Sequence, residues 1–401
     1  MPLPGLGWRF NSYFNCIRSM RLITQQDDLV AFCASVADAT YITVDTEFLR
    51  DKTYFPKLCL LQIASTEHAA VIDPLSPTIK LDPVFKLMQK TKLTKVFHAA
   101  RQDIEIFHML AGKIPTPIFD TQVAAAVCGY GESVGYETLV NQIVNTDIDK
   151  SSRFTDWSAR PLSEQQLAYA LSDVTHLRVI YESLKAKVEA AGRTAWIEEE
   201  HAYLSDPAIY QIAPEDAWQR LKFGNMRPKN LAALRELAKW RETEARKLDV
   251  PRGRVLKDEV LVELASVMPR KEADLARMRS VDKHLAKSKV QIILDAIQTA
   301  VALPPAEYPQ VKSRRKPSEN ITSAVAMLQL LLKVQADVHG IASPMIASKD
   351  DIEGIALGRS ETPALAGWRY DVFGQKAQAL LQGKLKLSLN PKTKQVVFED
   401  A

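Results

Sequence analysis

Positions 41–48, Y-I-T-V-D-T-E-F, form a β-rich apolar run and predict a strand over 42–48. Runs at 58–65 and 69–72 follow after short connections, so the three strands are expected to be antiparallel. Two further strand patterns, 93–97 and near Ile118, each lead into a helical pattern and predict a parallel extension of the same sheet. A helix is expected over 104–110. A longer one spans 163–188, where Leu167, Ala170, Leu171, Val174, Leu177 and Ile180 recur on one side. The rhythm breaks at Ser205-Asp206-Pro207 to Ala213-Pro214, and beyond it only helical patterns remain: 217–221, 228–248, 258–266 and 281–301. A proline-rich basic stretch from Leu303 through Lys316-Pro317 reads as a linker, followed by helices at 323–338, 350–357 and 375–382. The expected organisation is an α/β domain over 20–204, a helical domain over 205–302, a linker over 303–319 and a second helical domain over 320–401.

Chemistry concentrates in the first domain. Asp45 and Glu47 are two apart on a strand and project from one face, where two anions repel unless something neutralises them. Two readings stand at this point: a shared divalent cation, which takes oxygen ligands of this kind, or an edge strand with two solvated carboxylates. Asp103 lies just past a strand end and can reach a site formed by neighbouring strands. Tyr169 and Asp173 are four apart on the long helix and share a face. Asp120, followed by Thr121, reads as a helix N-cap in preference to a further metal ligand.

The order Asp45-x-Glu47, His98-x4-Asp103, Tyr169-x3-Asp173 resembles the three motifs of the DEDD exonuclease superfamily, and the tyrosine matches its DEDDy branch. The text around them resembles the ribonuclease D family: Asp45 to Arg50, Thr53 to Leu58, Leu60 to Ala64, Phe119 to Gln122 and Trp157-Ser158-x-Arg160-Pro161-Leu162. Trp218, Arg220, Leu221, Lys239-Trp240-Arg241 and Val255 to Glu259 are similar to an HRDC domain. Gly367-Trp368-Arg369 and Leu380-Leu381-x-Gly383 are similar to a diverged second one. The resemblance implies a ribonuclease H-like α/β exonuclease domain with a mixed sheet, followed by two all-α HRDC-like domains. It implies a 3′-5′ exoribonuclease that trims 3′ extensions of structured RNAs such as tRNA precursors, releasing nucleoside 5′-monophosphates. Two divalent ions, Mg²⁺ or Mn²⁺, are the implied cofactors, with no organic cofactor. Asp45 would bridge them, Glu47 and Asp173 would help hold the one that activates water, and Asp103 would support the other. Tyr169 would orient the attacking water, since an unperturbed phenol titrates near about 10 and makes a poor base at neutral pH. Phe48, Arg101 and Trp157 lie near motif residues and are candidates for stacking on bases or meeting phosphates. Each also has a plainer role, as core, surface ion pair and packing anchor respectively, and His98 reads as a structural hydrogen-bonder. A DNA 3′ exonuclease shares the five motif residues, and an inactive RNA-binding scaffold is the reading from a different class.

Composition narrows the setting. Residues 1–204 hold 20 Lys and Arg against 24 Asp and Glu, and residues 205–401 hold 32 against 24, so an acidic half with the carboxylates precedes a basic half suited to phosphate. Ordinary surface variation is the competing explanation of the second figure. Cys16, Cys33, Cys59 and Cys128 show no C-x-x-C pair, which argues against a disulfide frame or structural zinc and for a reducing compartment, the cytoplasm. No apolar run approaches the roughly 18 to 20 residues of a membrane span, so no membrane partner is expected. Residues 1–19 lack a continuous apolar segment and read as a disordered extension, with Met20 a second candidate start.

Overall fold

The structure, a computed structural model, describes residues 20–149, 155–211, 213–278, 281, 287–310 and 321–401. The extension expected over 1–19 lies outside these residues, as does most of the linker expected over 303–319. The chain divides into two compact units. One takes in the chain up to Glu47, Leu58–Asp206 and the final segment to Ala401; the other takes in Phe48–Lys57 and the segment that starts at Pro207.

The first unit is built on a six-stranded sheet in the order β1-β4-β3-β2-β5-β6. Its strands are β1 (Met20–Ile23), β2 (Tyr41–Leu49), β3 (Lys57–Ala64), β4 (Ala69–Ile72), β5 (Thr94–Phe97) and β6 (Ile118–Asp120). β3 and β4 are antiparallel, whereas β2, β5 and β6 run parallel, so the sheet is mixed as expected. β2 and β3 occupy the centre with helices to either side in sequence, and residues 41–44 and 58–64 are buried without interruption because both sheet faces are covered. β1, an edge strand of four residues followed by polar positions, carries too short a pattern to be foreseen.

Helices α1 (Gln26–Ser35), α2 (Asp82–Met88), α3 (Arg101–Ala111), α4 (Thr121–Val127) and α5 (Tyr136–Leu139) precede the long α6 (Glu164–Ala190), and α7 (Thr194–Leu204) follows it. A capping box starts α6: the Ser163 hydroxyl accepts from the Gln166 N–H, and the Gln166 side chain reaches back to the Ser163 N–H. Lys95 is fully buried on β5, and its ammonium donates to the carbonyls of Lys90, Leu93 and Thr116, which satisfies all three of its protons.

The final segment packs onto this α/β core. It holds α13 (Thr322–His339), α14 (Ser343–Ile346), α15 (Lys349–Ala356), α16 (Gly367–Arg369) and α17 (Gln375–Leu381). Trp196 of α7 stacks on Trp368 of α16 with ring centroids 4.7 Å apart, and the Arg193 and Arg369 guanidinia lie over Trp196 and Trp368 respectively. Glu200 accepts from both Trp368 Nε1 (3.0 Å) and Arg369 (2.6 Å). At Gly129, with φ +85°, a Cβ would stand 2.6 Å from the Gly340 carbonyl oxygen, so only glycine allows the two backbones to meet. The expectation of an all-α segment is corrected at its end: β7 (Leu385–Leu389) and β8 (Val396–Asp400) form an antiparallel hairpin. L-K-L-S-L carries the alternation of a strand, with the turn residues Asn390-Pro391 after it, and outweighs helix propensity there.

In the second unit, α8 (Pro228–Leu248), α9 (Arg252–Val255), α10 (Asp258–Val267), α11 (Glu272–Leu275) and α12 (Lys287–Ala302) enclose a core that includes Leu234, Leu237, Leu261, Leu264 and Ile293. The Phe48–Lys57 connection belongs to this unit and is held by it. Asp249 Oδ1 accepts from the Tyr54 and Phe55 N–H groups, and the Tyr54 hydroxyl bonds Glu242, which also receives Arg252 at 2.5 Å and Arg246 at 3.0 Å. Both guanidinia lie over the Tyr54 ring.

Burial opposes charge on Glu242, yet the Arg252 and Tyr54 hydrogen bonds and the neighbouring guanidinium charges outweigh it and bring the carboxyl down to about 2. A carboxylate held below its unfolded value contributes stability that is complete above that value and is lost as pH falls. Glu242→Gln is therefore expected to lower the unfolding midpoint at neutral pH and to flatten its fall between the ordinary 4.5 and about 2. Thermal unfolding of both proteins across that range measures it; parallel curves would show that Glu242 carries no such linkage.

Candidate active site

β2 runs on past the paired end of β5, since Thr43 is level with Val96 and the next residues of β5 turn away into α3. Asp45 and Glu47 thereby sit where parallel strands end, the place at which such sheets offer a crevice. α6 brings Asp173 against them: one carboxylate oxygen from each of Asp45, Glu47 and Asp173 lies within 4.8 Å of the others. Asp103, in the first turn of α3, stands outside this trio. It is buried and accepts from the Thr46 hydroxyl, which projects from the opposite face of β2 to Asp45 and Glu47.

Like charges in a poorly hydrated place resist ionisation. Burial pushes the Asp45 carboxyl up to about 7. Burial, then the charges of Asp45 and Asp103, pushes Glu47 up to about 9. Asp103 is raised in the same way, by burial first and by the Asp45 charge second. Such a donor set, all oxygen and all anionic, fits a hard divalent cation, whose charge would remove the repulsion.

Tyr169 is half-buried on α6 one turn before Asp173, and its ring faces Trp157 at 6.1 Å between centroids. Trp157 is buried, with 3% of its surface exposed. Arg101 is exposed at the start of α3, and Phe48 is half-buried on β2. His98 bonds the Thr121 hydroxyl through Nδ1 at 3.0 Å.

Several residues that hold this arrangement were not visible as such in the sequence. Thr43, two residues before Asp45, donates to the Val174 carbonyl at 2.7 Å, and the Tyr136 hydroxyl donates to the Asp173 carbonyl at 2.6 Å. These two hydroxyls grip consecutive carbonyls of α6 at the residue that supplies its carboxylate. Asp120 caps α4 through the Gln122 N–H, as expected, and its two oxygens also accept from Ala99 and Ala100. Ala99 has φ +56°, a conformation that costs a non-glycine residue about 1 to 3 kcal/mol and is held here by those bonds. The turn so fixed aims α3, and with it Asp103. His201 of α7 accepts the Asp120 N–H through Nε2 at 2.9 Å; burial lowers this imidazole to about 4 and keeps it neutral for that role.

Fold and site together define a class, and the comparisons agree: a 3′-5′ exonuclease family matches residues 20–189, and the HRDC domain matches residues 230–297. The chain is 43% identical to a ribonuclease D of Bartonella henselae over 93% of each chain, and 46% identical to one of Jannaschia over 91% of this chain and 96% of that one. The crystal structure of Escherichia coli RNase D, an exoribonuclease involved in structured RNA processing, superposes with a TM-score of 0.79 at 30% identity, covering 91% of this chain and 99% of that one. The chain belongs to the ribonuclease D family. It is a 3′-5′ exoribonuclease of a divalent-metal-dependent kind.

In metal-free protein, Asp45 and Glu47 keep protons that the unfolded chain releases near 3.8 and 4.5. A raised carboxyl makes the folded state bind more protons than the unfolded one, so stability falls as pH rises through this window toward about 9. The midpoint of unfolding in a chelator should accordingly drop with rising pH, and saturating Mg²⁺ or Asp45→Asn should flatten that slope. Unfolding scans at several pH values test it, and a flat chelator profile would refute the electrostatic stress.

Proposed function

We propose that this exoribonuclease trims 3′ extensions of structured RNAs, tRNA precursors among them, and releases nucleoside 5′-monophosphates. The convergence of Asp45, Glu47 and Asp173 within 4.8 Å carries the reading, because a hydrolysis that recruits cations gives such a costly cluster a use. These three and Asp103 are the residues that would hold two divalent ions, Mg²⁺ or Mn²⁺. When bound, the ions supply charge relief at the phosphorus and a more acidic water. Tyr169 orients the attacking water through its hydroxyl, since a phenol one turn from Asp173 on the same helix face can share that water with the carboxylate. Arg101, exposed beside Asp103, meets a phosphate of the entering 3′ end, and Phe48 offers a ring to a base.

The basic half supports an anchoring role for the helical segments, the final one being a second HRDC-like domain. No helix among the described residues is long and apolar enough to cross a membrane. Cys33 and Cys128 are free thiols, which fits the cytoplasm.

Purified protein given matched 3′-tailed RNA and DNA hairpins should shorten the RNA from its 3′ end, only with Mg²⁺ or Mn²⁺. Equal cleavage of DNA would favour the broader exonuclease reading. Asp45→Ala is expected to stay folded and to lose hydrolysis, and near-normal metal-dependent turnover in that variant would sink the assignment of the ion site. Tyr169→Phe should lower kcat while RNA affinity stays within about twofold, because packing is kept and water positioning is lost. Unchanged kcat with weaker binding would make Tyr169 a substrate contact instead.

A further inference from the structure

We propose that Trp157 and Arg160 are positioning residues for Tyr169, forming a buttress that supports the tyrosine ring. This rests on the reading of Tyr169 as the residue that orients the attacking water. Tyr169 lies in the second turn of α6, within reach of the chain that leads into the helix. That support comes from the turn before the helix. The Trp157 and Tyr169 rings lie 6.1 Å apart at 31°, within the range of aromatic contact.

Trp157 is in turn fixed by Arg160. The Arg160 guanidinium forms a fork on Asp73, with Nε to Oδ2 and Nη2 to Oδ1 both at 2.7 Å. Its Nη2 also donates to the Cys59 carbonyl on β3, and Nη1 to the Trp157 and Ala159 carbonyls, each at 2.8 Å. All five N–H donors are thereby used. Asp73 directly follows β4, so one side chain ties the Trp157 turn to two strands of the sheet that carries Asp45 and Glu47. The turn is also tied to the helix itself: Gln166 Nε2 donates to the Thr155 hydroxyl at 3.0 Å, and Asp156 Oδ1 accepts from the Ser158 N–H and hydroxyl.

The burial of Trp157 separates a buttress from a base-stacking platform. With 3% of its surface exposed, Trp157 presents almost no ring to an incoming base. Its indole Nε1 is buried and has no hydrogen-bond partner among the described residues, an arrangement that folding stability disfavours and that a replacement by Phe would relieve.

The test is a double-mutant cycle on the full-length protein, with kcat and KM measured on a 3′-tailed RNA in Mg²⁺, and unfolding midpoints recorded for every variant. Trp157→Leu and Arg160→Lys should each lower kcat by about tenfold or more with KM within about twofold, and Trp157→Phe should restore most of the loss. In a Tyr169→Phe background the same substitutions should cost less than about twofold further, because the group they position is already gone. If the losses multiply in full in that background, Trp157 and Arg160 act independently of Tyr169 and the proposal fails while the role of Tyr169 stands. A raised KM at unchanged kcat would also overturn it, making Trp157 a substrate contact. Wild-type turnover in Tyr169→Phe alone would take down both readings together. Arg160→Lys retains the charge on Asp73, so it serves as the folded comparison if Trp157→Leu proves unstable.

Discussion

Repulsion among carboxylates held in a poorly hydrated place is the constraint on which the first unit depends. Asp45 and Glu47 are held well above the ordinary carboxyl range, by burial first and for Glu47 by the Asp45 charge as well, with Asp173 and Asp103 crowding the same place. What prevents separation is backbone rigidity at each donor. β2 is central in the sheet; α6 is gripped by the hydroxyls of Thr43 and Tyr136; α3 is aimed by Asp120 through a left-handed alanine. The energy stored in that arrangement is released when a cation arrives, which makes ligand binding and folding two views of one balance.

The props themselves are mostly neutral hydroxyls and carbonyls. A charged prop would compete with a cation for the carboxylates or hold them as a salt bridge, whereas Thr43, Thr46 and Tyr136 fix position without adding net charge. The charged pairs serve other places in the fold. Arg160 with Asp73 anchors a turn, and Glu242 with Arg246 and Arg252 secures the Tyr54 segment within the second unit.

The elements that were legible in the sequence are those whose pattern is long or chemically unambiguous. The centre of the sheet, α6 and α8 announced themselves by unbroken apolar runs or a sustained helical rhythm, and the carboxylates by spacing that matches a known set of motifs. The supports were not legible. A threonine in a strand reads as a good β-former whether or not its hydroxyl holds a helix, and Tyr136 lies 37 residues from the carbonyl it meets. Lys95 would be assigned to the surface from its charge, since three carbonyls distant in the pattern are what bury it. The terminal hairpin was readable from its alternation, but the preceding helices bias the expectation toward more helix.

The stacked pair of Trp196 and Trp368 has a consequence in time. A ribosome delivers Asp45, Asp103, Tyr169 and Asp173 early, yet the partner of Trp196 follows only after the whole helical segment from Pro207 onward has been made. At about 5 to 20 residues per second, that interval is on the order of ten seconds or more. During it, the α7 surface that will receive Trp368 and Met345 stands uncovered on the growing chain. The nascent protein thus displays an apolar flank well after its chemistry has been synthesised, and that flank stays uncovered until the chain's own tail arrives.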